Sequence, residues 1–267
     1  MDVVKDYAYP LPINVISEML GIPKDDRPKI QVWSNALARG LGFGFQDPEA
    51  AKHMRAFGEY TVQLVAKKRS HPADDLISQL VAIEEEGDRL SEEELISMLT
   101  LLIFAGHETT SNLISTGTLI LLDHPEEMER LKKDPSLASS AVEELLRFNG
   151  PATTAGPRYA LEETDLAGQR IKKGDMIIPL LKSANRDEHH FTDSEDLDIL
   201  RKVNRHLAFG HGIHACLGAP LARLEGEIAF NTLLRRLPNL RLNIPREDIT
   251  WHFALSSQEL AALPVAF

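Results

Sequence analysis

The chain has 267 residues, enough for one large domain or two modest ones, and its 43% hydrophobic residues supply a sizeable core. A formal charge of −11 argues against nucleic acid as a partner, while a single cysteine excludes an intramolecular disulfide and suits a reducing cytosol. Met1 to Asp6 carries no signal-peptide pattern, and the longest mostly apolar run, Leu95 to Gly106, falls short of the roughly 18 residues a bilayer needs, so a cytoplasmic protein without a membrane anchor is expected.

In chain order, Pro10-Leu11-Pro12 leads into a short predicted helix from Ile13 to Gly21. Amphipathic patterns over Arg27–Leu41 and Pro48–Arg69 predict two longer helices, with Gly40, Gly42 and Gly44 making the break. The turn Ser70 to Asp75 caps a helix over Leu76–Glu86. Ser91-Glu92-Glu93-Glu94 is a capping box that opens the longest predicted helix, running to about Leu122 and about 46 Å long. Asp123-His124-Pro125 ends it and starts Glu126–Lys133. A helix over Leu137–Phe148 stops at Gly150-Pro151. Short strands and turns follow, including Arg158–Ala160 and Met176–Leu180, then a helix from Ala219-Pro220 to about Arg236 and an extended tail over 240–267. The class is mainly α with a small β portion.

The long predicted helix carries a defect. Glu108, Thr109, Thr110 and Ser111 are poor helix-interior residues, and a Thr109 hydroxyl can bond back to the carbonyl of Ala105 and loosen the ladder. A small polar pocket or a plain kink would both explain it. His107-Glu108 does not begin an H-E-x-x-H zinc motif, because the fifth position is Ser111.

The lone thiol lies in Phe209-Gly210-His211-Gly212-Ile213-His214-Ala215-Cys216-Leu217-Gly218. Glycines on either side of His211 allow a sharp turn and close approach to a flat ligand, and the helix behind places free N–H groups near the sulfur. Four readings compete here: inert packing, a G-x-G-x-x-A dinucleotide loop lacking its βαβ context, zinc held by His206, His211, His214 and Cys216 at an unusual spacing, and haem ligated by the thiolate.

The loop resembles the F-G-x-G-x-H-x-C-x-G signature of the cytochrome P-450 superfamily in its soluble bacterial form. Two upstream segments strengthen the resemblance: Ala105-Gly106-His107-Glu108-Thr109-Thr110 is similar to A-G-x-[DE]-T-T, and Glu144-Leu145-Leu146-Arg147 to the E-x-x-R pair. The family implies a single haem-thiolate domain over residues 1–267, haem b (iron protoporphyrin IX) as cofactor, and Cys216 as the metal ligand. Glu108 and Thr109 then serve proton delivery, while Arg158 and His214 contact the haem propionates. Ala105, Ala208, Phe209, Gly210, Leu217 and Gly218 border the cofactor. Ala105, Thr109, Thr153, Thr154, Ala155 and Ser256 are the expected substrate contacts. The activity implied is a monooxygenase that inserts one atom of O2 into a small apolar substrate, using a separate ferredoxin or flavodoxin-type electron donor. Arg201, Lys202, Arg205, His206 and Arg223 are the candidate docking patch for that donor.

Two departures stand out. The resemblance implies a buried Glu144–Arg147 brace with a basic third partner, yet Asp196 stands near that partner's expected position. The opening segment, Tyr7 to Pro12 followed by Leu20-Gly21-Ile22-Pro23, resembles the middle of a family member, which implies that the family's N-terminal portion is missing here. The alternative function is therefore a truncated, non-enzymatic relative with weak or no haem binding.

Overall fold

The computed structural model describes residues 1–43, 48–85, 90–202, 204–253 and 256–267. They form two compact units, Met1–Asn112 and Leu113–Phe267. The architecture is mainly helical with small sheets, as predicted.

In the first unit a π-helical turn over Val4–Ala8 runs into α1 (Pro10–Leu20). The predicted start at Ile13 is three residues late, because proline in a first helical turn gives up no needed N–H. Gly21 closes α1 at φ 70°, and a Cβ there would run into the Asp75 carboxylate and the Lys68 ammonium. Lys68 and Asp75 form a buried ion pair joining α3 (Pro48–Ser70) to the start of α4 (Leu76–Glu85). Asp75 Oδ1 also accepts the Ser78 N–H at 2.9 Å, which makes it the predicted cap. α2 (Arg27–Phe43) runs through Gly40 and Gly42; Gly44, and the predicted last helical residue Glu86, lie outside the described residues. The capping box forms as expected at the head of α5 (Glu92–Ala105), with Ser91 Oγ and the Glu94 carboxylate exchanging bonds with each other's backbone N–H. Leu20, Ile30, Phe57, Ile77, Leu99 and Ile103 belong to the core of this unit.

The single helix predicted from Ser91 to Leu122 is instead two. α5 stops at Ala105 and α6 (Glu108–Asp123) restarts after Gly106 and His107. At 1.5 Å per residue the two run about 21 and 24 Å in place of one 46 Å rod. The interruption has local causes. A Cβ on Gly106 would sit 2.7 Å from the Leu102 carbonyl oxygen and 2.8 Å from Ile16 Cγ1, so only glycine passes here. The His107 ring, fully buried, satisfies the Ile103 carbonyl through Nδ1 at 2.8 Å, and Thr109 Oγ1 donates to the Ala105 carbonyl at 3.1 Å. Side chains thus take over acceptors in the segment where the ladder is broken.

The second unit packs α7 (Pro125–Lys133), α8 (Ala138–Asn149) and α10 (Ala219–Arg236) around Leu121, Leu131, Val142, Leu145, Phe230 and Leu234. Between α8 and α10 lie β1 (Arg158–Tyr159), β2 (Thr164–Leu166), β3 (Gln169–Ile171), β4 (Met176–Ile177) and a four-residue α9 (Leu181–Ala184). After α10 come β5 (Arg241–Leu242), β6 (Trp251–Phe253), β7 (Gln258–Leu260) and β8 (Val265–Ala266). All pairings are antiparallel and two-stranded: β1 with β4, β2 with β3, β5 with β8, β6 with β7. Among the described residues, no helix is long and apolar enough to cross a membrane.

Candidate active site

The cysteine loop is a closed structure with an open face. Gly210 N–H donates to the Leu207 carbonyl at 2.9 Å, and a 3-10 turn spans Gly212–His214. Cys216 N–H then donates back to the Phe209 carbonyl at 2.9 Å, closing the loop, and the Cys216 carbonyl accepts from Ala219 at the head of α10. Gly210 and Gly212 stand at φ 69° and 81°, left-handed values that side-chain-bearing residues avoid. Ala208 and Phe209 pack against the core of the second unit and root the loop in it.

The other face turns outward. Residues 211–218 are all exposed, with Ile213 98% and Leu217 84% accessible beside the free Cys216 thiol. A Cβ added at Gly218 would lie 3.9 Å from Cys216 Sγ, in ordinary contact, so this glycine borders the sulfur. One soft donor, flanked by large apolar side chains and glycines, fits a flat apolar iron-bearing group. It does not fit the other readings. The thiol is not packed away, no βαβ unit surrounds the glycines, and among the described residues no group of three or more His, Cys, Asp and Glu side chains could hold a metal ion.

The brace beneath the loop is complete. Glu144 and Arg147 are buried side chains joined by two bonds, Nη2 to Oε1 at 2.7 Å and Nε to Oε2 at 2.8 Å. Arg147 also donates to the carbonyls of Asn185, Ser194 and Asp196. The third partner is Arg201, whose Nε meets Glu144 Oε2 at 3.1 Å. Asp196 takes part through its backbone oxygen, which accepts from both guanidiniums. Asn204 Nδ2 and the Asp198 N–H complete the shell around the carboxylate. The sequence held the signal, a basic residue five positions after Asp196, but assigned it elsewhere.

That reassignment corrects the predicted docking patch. Arg201 belongs to the brace, the His206 side chain is 2% exposed against Glu143, and Arg223 is bound to the same Glu143 carboxylate. Lys202 and Arg205 alone of the five are exposed.

The predicted substrate contacts of the second unit do come together. Thr153 N–H donates to the Ser256 carbonyl at 2.9 Å, Ala152 bridges Ser257, and Thr154 bridges Leu180. Lys182 supports this pairing from behind, with Nζ donating to Asn149 Oδ1 at 2.7 Å and Gln258 Oε1 at 3.0 Å; burial, then Arg186, lowers its pKa to about 8. Sequence reading missed this lysine because nothing local marks it. Arg158 sits exposed on β1, its Nη1 donating to the Gly156 carbonyl, and His214 is exposed on the 3-10 turn. In the first unit Ala105 and Thr109 are exposed and joined by the hydroxyl–carbonyl bond, and Glu108 opens α6 beside them. His107 behind them is buried edge-on to Tyr9, ring centroids 5.6 Å apart, and burial lowers its pKa to about 4.

Comparison with known proteins matches this geometry to one family. The family model described as "Cytochrome P450" covers residues 46–250. A Bacillus subtilis protein described as "Cytochrome P450" is 50% identical over 272 residues, and the "Polyketide biosynthesis cytochrome P450 PksS" of the same organism is 48% identical over 265. These alignments span 100% and 99% of the chain but only 65% of each curated relative. The solved structure of PksS superposes with a TM-score of 0.93 at 47% identity, over all of this chain and 68% of that one. The solved structure of P450BioI with an acyl carrier protein ligated to hexadec-9Z-enoic acid does so with 0.92 at 40% identity, over 100% and 68%. The family model, matched over most of the chain, and these relatives show that the chain belongs to the cytochrome P450 family.

Proposed function

We propose that the chain carries the haem-thiolate centre of a monooxygenase that inserts one oxygen atom of O2 into a small apolar organic substrate and releases the other as water. Two electrons from a separate ferredoxin or flavodoxin-type donor and two protons balance the reaction. The observation that carries this reading is the exposed Cys216 thiol at the mouth of a closed loop, flanked by Ile213, Leu217 and Gly218. Haem b, held by Cys216, supplies the oxygen chemistry, and a thiolate ligand favours O–O cleavage.

The chain's own residues do the rest. The Phe209 carbonyl fixes the Cys216 backbone and so aims the sulfur. Arg158 and His214 have donors to spare for carboxylates of the cofactor, and charge-assisted bonds of that type are strong. Glu108 holds a proton and Thr109 relays it; the Thr109 hydroxyl, donating to the Ala105 carbonyl, keeps its oxygen free to accept. Thr153, Thr154, Ala155 and Ser256 border the substrate, and the names of two relatives, one in polyketide biosynthesis and one bound to an acyl-loaded carrier protein, support an apolar chain as its class.

The test is isotopic. Haem-loaded protein, supplied with a ferredoxin and its reductase, is incubated with fatty-acyl and polyketide candidates under ¹⁸O2. Incorporation of one ¹⁸O per product supports the proposal. Oxidation with label from water, or no uptake of haem at all, contradicts it and favours the non-enzymatic alternative.

A further inference from the structure

Glu143 is the neighbour of the brace acid Glu144, yet it faces a different set of partners. Its carboxylate takes Arg223 in a bidentate grip, Nε to Oε1 at 2.6 Å and Nη2 to Oε2 at 3.0 Å. On its other side stands His206, with Nε2 3.2 Å from Oε2 but out of line for a strong hydrogen bond, so the approach is chiefly electrostatic. His206 Nδ1 accepts the Ala208 N–H at 3.1 Å, which puts the imidazole proton on Nε2, facing the acid. Burial pushes the Glu143 carboxyl up, but the Arg223 bonds and charge, with the His206 N–H beside them, outweigh it and hold the pKa at about 2.

These partners lie on either side of Cys216 in the chain. His206 stands where the loop begins, and Arg223 stands in the second turn of α10, just beyond the loop. Phe209 lies between them: the Arg223 guanidinium sits 4.6 Å from its ring centroid, and the His206 ring is 6.1 Å away. The Phe209 carbonyl is the acceptor of the Cys216 N–H. One carboxylate on α8 thus gathers both ends of the loop and the residue that holds the cysteine backbone. The Arg223 pKa is raised, first by its bonds to Glu143 and then by the charge of that carboxylate, against the effect of burial.

We propose that Glu143 is a positioning residue for Cys216, acting through Arg223 and His206. Loop anchoring is a property of the protein alone and stands whether or not the haem-thiolate reading does.

The experiment uses Glu143→Gln, Arg223→Gln and Arg223→Lys. Without haem, hydrogen exchange of the Cys216 amide and iodoacetamide labelling of the single thiol report on the loop. Charged hydrogen bonds of this kind hold an equilibrium by about tenfold or more, so Glu143→Gln and Arg223→Gln should speed Cys216 exchange by about that factor and leave the amides of Val142 and Leu145 unchanged. Unchanged Cys216 exchange in both variants overturns the anchoring. Arg223→Lys, which keeps a charged donor toward Glu143, should restore much of the protection that Arg223→Gln loses. A parent protein with no thiolate spectrum defeats the haem reading, while the exchange result still decides the anchor.

Discussion

Arg201 approaches Glu144 from the loop side, its Nε 3.1 Å from Oε2, so that one buried carboxylate is shared by two guanidiniums, those of Arg147 and Arg201. Breaking a buried pair by removing one partner leaves an uncompensated charge and costs about 3–5 kcal/mol. Glu144→Ala should therefore lower stability by about that amount in urea unfolding. Arg201→Gln, which removes a more peripheral bond, should cost about 1.5–3 kcal/mol. Equal losses for the two variants would contradict the peripheral place given to Arg201.

Two glycines give opposite expectations. Gly21 combines a left-handed φ of 70° with a Cβ path blocked by Asp75 and Lys68, so Gly21→Ala should destabilise by about 2 kcal/mol or more. Gly58, inside α3, has nothing within 4 Å of an added Cβ, and Gly58→Ala should stabilise by about 0.5–1 kcal/mol through helix propensity. Thermal melts of the two variants should move in opposite directions.

Glu225 on α10 is 4% exposed, and neither of its carboxylate oxygens has a hydrogen-bond partner among the described residues. Burial raises its pKa from 4.5 to about 7. The folded chain then binds this proton more tightly than the unfolded chain. Its contribution is full below pH 4.5 and is lost as pH rises through 7. Glu225→Gln should flatten this dependence and be more stable than the parent at pH 8 by about 2 kcal/mol, with little difference at pH 4.5. Parallel stability curves for the two proteins across this range would rule the assignment out.

Thr109 is exposed and its hydroxyl bonds the Ala105 carbonyl, so Thr109→Val should change stability by less than about 1 kcal/mol. If the hydroxyl relays protons, the same variant should bind haem normally and yet yield several-fold less product per electron pair consumed. A loss of haem in proportion to the loss of product would point to a structural role instead.

Much of this molecule is legible in the sequence because its cues are local. Ser91 and Glu94 cap α5, Pro125 opens α7 and Gly150 follows α8, each as the residue types require. The cysteine loop is legible because its glycines admit few alternatives. The helix break is half visible: Glu108 to Ser111 mark a weak stretch, but the Ile16 contact that excludes a side chain at 106 comes from a helix some 90 positions away. Arg201 and Arg223 read as surface cations because their acids, Glu144 and Glu143, lie 57 and 80 residues distant. The four-residue α9 is too short to show a helical period.

The most direct test of the account is the visible spectrum of haem-supplied protein, reduced under carbon monoxide. The account predicts the strongly red-shifted Soret band of a thiolate–carbon monoxide complex, abolished by Cys216→Ala. A colourless protein, a histidine-type spectrum, or a red-shifted band that survives Cys216→Ala would contradict it.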